Sequence, residues 1–329
     1  MHIDYSKSQL IRGLAILGMI WLHCFNLDPY GSGYHDIITV WGGYKLAYIL
    51  TKIGGICVPL YCFLSGYGLA CKYPYEKTYI RKKALRLYEQ YWFVLFLFTA
   101  IGFVIGAMRY HWDLEEIAGN FIGFHTSWNP TLWFLFPYVL LFAVSKPIIM
   151  ASRKNWVLTL GVAFVSFVGV MYLLKQDKNG ALHLNVLVRA VLEVFHLLPA
   201  FLFGVIAKQK ESFETSKYNK KKILLSLSLF GVLTACFVWR EFMSLIYGIC
   251  AVYLICNIHW NEQISSVLKW FGKKNVWLWF CHAYFTYSYL HFMTAWAKWP
   301  VCIYMVTVGL SLLTALLMEY LFNLIAKRV

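Results

Sequence analysis

Apolar runs long enough to cross a bilayer alternate along this chain with short polar segments. A membrane-spanning helix needs about 20 consecutive, mostly apolar residues. About ten stretches qualify: 9–26, 46–71, 88–108, 131–150, 156–174, 184–207, 223–239, 242–259, 276–292 and 301–325. The seventh and eighth are separated only by Arg240-Glu241 and read as a tight hairpin. The longest polar stretch, Lys208–Lys222, is too short to fold alone. The pattern therefore predicts an all-α, polytopic transmembrane bundle, a single integral membrane domain over 1–329 with no fused soluble domain. The first run lacks a small-residue cleavage site and reads as a retained span. Repeats, low-complexity stretches and heptads are absent. The segment 109–130 is long and mixed, with His111, Trp112, Asp113, Glu115, Glu116, His125, Trp128 and Asn129. It is expected to lie at the interface or to re-enter, as functional loops of this length often do.

Composition agrees: 60% of residues are hydrophobic and 14% charged, against about 25% charged in soluble domains. A net charge of +15 would suit a nucleic-acid binder, but its placement argues otherwise. With the N-terminus inside, 21 of the 30 Lys and Arg residues fall in inner segments and 6 in outer ones. Arg12, Lys52 and Arg189 lie within spans. That loop-by-loop alternation predicts cytoplasmic N- and C-termini. Most of the lysines then read as anchors to anionic lipid. The nine cysteines lie in or beside apolar runs with no CxxC pair, so they are expected to be small buried hydrophobes without disulfides. No metal-ligand spacing appears on any one helix.

Ionisable groups inside spans are costly and mark candidate sites. The first span opens Arg12-Gly-Leu-Ala-Ile-Leu and ends at His23. Eleven residues bring the two to nearly the same face, about 16 Å apart along the axis. Singly, Arg12 reads as a snorkelling anchor and His23 as an interfacial histidine; together they form a polar stripe. Ser65-Gly66 gives a small, polar break in an aromatic helix, or a close-packing position. Lys83 and Arg86 share a helix face at the inner mouth of the third span, where paired cations serve either as lipid anchors or as a phosphate site. Glu89 beside them is expected to pair with one of them. Trp133 lies in the aromatic opening Thr131–Tyr138 of the fourth span. Arg189, Glu193 and His196 share one face of the sixth, as a self-satisfied ion pair or a polar wall. His282 falls mid-span in an aromatic run.

The order Arg-x10-His, Ser-Gly, basic pair, Leu-Trp-Phe-Leu and a late aromatic-His span resembles the membrane acyltransferase 3 family over essentially the whole chain. The family's basic motif is usually Arg-x-x-Arg; here Lys83 replaces the first Arg and loses its bidentate fork. The resemblance implies an integral O-acyltransferase of the cytoplasmic membrane. It would take an acyl group, commonly acetyl, from cytoplasmic acetyl-CoA (acyl-CoA) to a hydroxyl of a cell-envelope glycan or lipid-linked sugar. Under it Lys83 and Arg86 hold CoA phosphates, Arg12 neutralises charge partway in, and His23 meets the thioester as general base or acyl carrier. Ser65, Trp133, Glu193 and His282 are the substrate or cavity candidates, and His282 or a backbone amide is a guess for the oxyanion donor. No nucleic-acid partner is implied. The runner-up function is a transporter or flippase of a lipid-linked sugar, although no duplicated halves are evident.

Overall fold

A computed structural model describes residues 2–28, 31–35, 37–106, 110, 113–211, 218–234 and 243–326. Arg109, His111, Trp112, Cys236 and the hairpin at Arg240-Glu241 lie outside the described residues. The helices are α1 (Tyr5–Phe25), α2 (Leu46–Gly54), α3 (Cys57–Lys72), α4 (Lys77–Val104), α5 (Leu114–Ile122), α6 (Leu135–Ala143), α7 (Ser145–Lys154) and α8 (Trp156–Lys178). They continue with α9 (Val186–Gln209), α10 (Tyr218–Thr234), α11 (Ser244–Asn257), α12 (Glu262–Lys273), α13 (Asn275–Cys281), α14 (Ala283–Thr286), α15 (Phe292–Ala295) and α16 (Pro300–Ala326). No strand occurs among the described residues; Thr39 and Lys45 form an isolated bridge.

Among the described residues, six helical segments are long and apolar enough to cross a membrane: α1, Leu46–Lys72, α4, α8, α9 and α16. Their outward faces are apolar, as with Val165 on α8 and Leu313 on α16, which fits surrounding lipid. The expected fourth span is a 3-10 turn (Pro130–Phe134) leading into α6 and α7, bent by 56°. Pro147 has no N–H for the Ala143 carbonyl, and the Ser145 hydroxyl donates to the Phe142 carbonyl at 2.5 Å. The stretch 276–292 is not one continuous helix but the short segments α13, α14 and α15.

Two compact units emerge. One comprises Met1–His2, Val58–Tyr88 and Arg109–Lys221; the other comprises Ile3–Cys57, Glu89–Met108 and Lys222–Val329. In the second, α12 runs antiparallel along the first half of α1. A Cβ on Gly13 would lie 1.9 Å from the Leu268 carbonyl oxygen, and one on Gly272 would lie 1.9 Å from that of Gln9. Glycine at both positions lets the backbones touch. Asp4 caps α1 by accepting from the Lys7 amide at 2.7 Å. Glu319 of α16 is paired with Lys274, which removes an otherwise unpaired carboxylate from an apolar helix.

The first unit repeats this reciprocal device. A Cβ on Gly66 of α3 would meet the Phe201 carbonyl oxygen at 2.0 Å, and one on Gly204 of α9 would meet that of Phe63 at 1.9 Å. Ser65-Gly66 is thus a packing position inside an unbroken helix. The chain breaks earlier, between α2 and α3, beside Gly54 and Gly55. The cysteine expectation needs a similar correction. Cys71 and Cys302 are exposed, because a thiol is apolar enough for an outer helix face.

Candidate functional site

His23 occupies the last turn of α1, and Asn26 is its C-cap. A spacing of three puts both side chains on one face, where they meet Tyr287. The Tyr287 hydroxyl donates to Asn26 Oδ1 at 2.5 Å. With its only proton committed there, the same oxygen accepts from His23 Nδ1–H at 2.9 Å. This fixes the tautomer: a neutral His23 carries its proton on Nδ1 and presents an unprotonated Nε2. The chain Asn26–Tyr287–His23 has the form of an orienting group behind a base. His23 therefore packs against protein groups of its own unit, half-buried.

His282 lies beside it, with ring centroids 5.1 Å apart. It is completely buried. Its Nδ1 meets the Leu278 and Trp279 carbonyl oxygens at 3.1 and 2.9 Å. Carbonyls only accept, so Nδ1 is the donor and Nε2 holds a lone pair, without a hydrogen-bond partner among the described residues. A neutral His282 in this tautomer therefore presents an acceptor, not an N–H, at Nε2. The same carbonyl contacts accompany the interruption between α13 and α14. Arg12 is half-buried one turn from Gly272's contact on Gln9, with its Nε enclosed.

The remaining sequence candidates belong to the first unit. Ser65 is buried, its hydroxyl 2.5 Å from that of Tyr138, so the Ser-Gly and Leu-Trp-Phe-Leu motifs meet through Tyr138. Trp133 is 37% exposed, which sets it apart from that contact. The face expected to join Arg189, Glu193 and His196 divides. Arg189 pairs with Asp177 at 2.5 Å, whereas Glu193 bonds His196 at 2.7 Å. Lys83 lies over the Phe142 ring, 4.8 Å from its centroid, and Arg86 is exposed.

The segment after α4 folds back on its own unit. Asp113 caps α5, and Tyr88 donates to the Ile122 carbonyl at 2.7 Å. Since Tyr88 lies eleven residues into the 28-residue α4, the end of α5 reaches close to the middle of that helix. Buried Glu116 accepts from Ser127, and Asn120 donates to Ser127 Oγ at 2.9 Å. The segment is thus held against α4 by its own polar contacts.

The sequence model of one family, described as an acyltransferase domain, matches residues 6–320. The chain belongs to the acyltransferase 3 family. Comparison with curated proteins and with solved structures finds no match. This acyltransferase is accordingly a multi-pass integral membrane enzyme, built around helices with apolar outer faces. Two members of its site escape sequence reading, Asn26 and Tyr287. Asn26 sits three residues after His23, a spacing that would have flagged it; Tyr287 is one of 23 tyrosines, with nothing in its neighbourhood to single it out.

Proposed function

We propose that this acyltransferase moves an acetyl group from cytoplasmic acetyl-CoA to a hydroxyl of a cell-envelope glycan or lipid-linked sugar, with His23 Nε2 as the reacting nitrogen. The observation that carries this reading is the Asn26–Tyr287–His23 chain, which holds the lone pair on Nε2. In the general-base route, Nε2 takes the proton as the sugar oxygen bonds to the thioester carbonyl carbon. The C–S bond then breaks, and the CoA thiolate takes the proton back from Nε2. In the acyl-carrier route, Nε2 itself attacks the carbonyl and the C–S bond breaks to release the CoA thiolate; the sugar oxygen then takes the acetyl group, the C–N bond to Nε2 breaks, and the hydroxyl proton passes to the thiolate. General-base assistance contributes roughly 10²–10⁴-fold. Arg12, on the same face of α1, would offset donor charge inside the membrane, and Lys83 with Arg86 would hold the CoA phosphates.

The reading places about ten spans in the cytoplasmic membrane, both termini on the cytoplasmic side, as one functional domain over 1–329. Contacts within the first unit support a shared side for its basic loops. His2 reaches Glu211 at 2.5 Å, Ser152 reaches Gln209 at 2.9 Å, and Arg153 lies over Tyr73. All of these residues sit in or beside segments that the charge tally assigns inward. Glu211 also accepts from Tyr67 and Lys208. Burial opposes its ionisation, but these bonds and the Lys208 charge prevail and take its carboxyl down to about 2.

The test is transfer of labelled acetyl-CoA by the purified protein in sealed proteoliposomes, with candidate glycans supplied on either side. Label should reach glycan only when acetyl-CoA is on the side of the N-terminus. Glycan crossing the bilayer with no thioester cleavage would instead favour the flippase.

A further inference from the structure

Lys83 offers a point charge without a guanidinium fork, and the first unit carries such a fork on another element. Arg153, near the end of α7, stacks on Tyr73 with its Cζ 4.2 Å from the ring centroid. Among the described residues it makes no ion pair. A guanidinium stacked by its face keeps its N–H edge open for phosphate oxygens. Tyr73 packs edge-on against Tyr75 at 6.1 Å, and Tyr75 meets Tyr79 at a tilt, 5.8 Å between centroids. The Tyr75 hydroxyl meets Ser145 Oγ at 2.7 Å, and Ser145 donates to the Phe142 carbonyl at 2.5 Å. Phe142 is the ring under Lys83. A continuous ladder of contacts, Arg153–Tyr73–Tyr75–Ser145–Phe142–Lys83, thus has one cation at each end and aromatic rings between. Burial, with the neighbouring phenols, raises Tyr75 above its ordinary range, so it stays neutral beside an anion.

We infer that this ladder binds the nucleotide end of the acyl donor, with Arg153 and Lys83 on its separate phosphate groups and Tyr73 or Tyr75 against its purine ring. Separated cations flanking aromatic faces match a purine nucleotide carrying phosphates at two positions. A membrane lipid offers phosphate without the ring. The assignment rests on acyl-CoA being the donor.

The experiment measures binding of coenzyme A and of 4′-phosphopantetheine, which lacks the nucleotide, to the full chain in phosphatidylcholine nanodiscs. Arg153→Ala should weaken coenzyme A about tenfold, the size of a lost charge-assisted bond, and change 4′-phosphopantetheine less than about twofold. Arg153→Lys should restore only part of the loss, because it returns charge without the fork. Tyr73→Leu should also weaken coenzyme A selectively. Equal losses for both ligands would mean a general structural role and overturn the assignment, as would unchanged coenzyme A binding. A parallel arm measures phosphatidylglycerol retained by the protein on purification; a loss confined to that arm would overturn the assignment and give Arg153 to a lipid headgroup. If the unaltered protein binds neither ligand, the donor reading itself falls; if it binds both and Arg153→Ala does not discriminate, only this site falls.

Discussion

Replacing Tyr287 with Phe removes one hydroxyl and little else. The ring keeps its edge-on contact with His23, 5.1 Å between centroids, so packing is preserved. Two bonds disappear, 2.9 Å to His23 Nδ1 and 2.5 Å to Asn26. His23 is then left with a half-buried Nδ1–H lacking its acceptor, or it shifts the proton to Nε2 and loses the reacting lone pair. An unsatisfied buried donor costs about 1–3 kcal/mol. At about 1.36 kcal/mol per decade, that is roughly a 5- to 150-fold fall in kcat, with little change in the KM for acetyl-CoA. The assay is release of the CoA thiol under saturating donor and glycan. Because Tyr287 acts through His23, the double variant with His23→Ala should be no slower than His23→Ala alone. A kcat within about twofold of the unaltered enzyme, or additive losses in the double variant, would refute the relay.

Other outcomes follow from particular contacts. Gly272→Ala forces a Cβ to within 1.9 Å of the Gln9 carbonyl oxygen, so it should destabilise the chain by about 1–3 kcal/mol, read as a lower midpoint of thermal unfolding in detergent. Glu211 has its carboxyl lowered from 4.5 to about 2. Its stabilising effect should be complete above about pH 4.5 and lost as pH falls towards 2, and Glu211→Gln should flatten that part of the stability profile. Arg189→Ala should destabilise the chain by about 1–3 kcal/mol, because it leaves the buried Asp177 carboxylate without its partner, and leave transfer unchanged. An equal fall in transfer for Arg189→Ala and Glu193→Gln would restore the single polar wall that their separate partners argue against.

Hydropathy and charge alone expose α1 with Arg12 and His23 and the long helices α4, α8, α9 and α16, and the order of short motifs along them resembles the family's. These features are local, and each is written in consecutive residues. The amphipathic α12 escapes, because its burial follows from Gly272 and Leu268 fitting α1 and not from overall apolarity. The stretch 276–292 reads as a span by composition, yet the structure interrupts it at His282, whose ring engages the preceding carbonyls. Arg189 looks towards Glu193 by helical spacing, but Asp177, near the end of α8, is the partner it finds. The relay behind His23 joins residues 264 positions apart, a contact that only the folded chain makes.

The central claim is that His23 does chemistry on the acyl group. The most direct measurement is single-turnover thiol release from acetyl-CoA by the purified enzyme with glycan present, comparing His23→Ala with the unaltered chain. At least a ~100-fold slower release in His23→Ala is predicted, the lower bound for a lost general base, with coenzyme A still bound. Release at the unaltered rate would contradict the account.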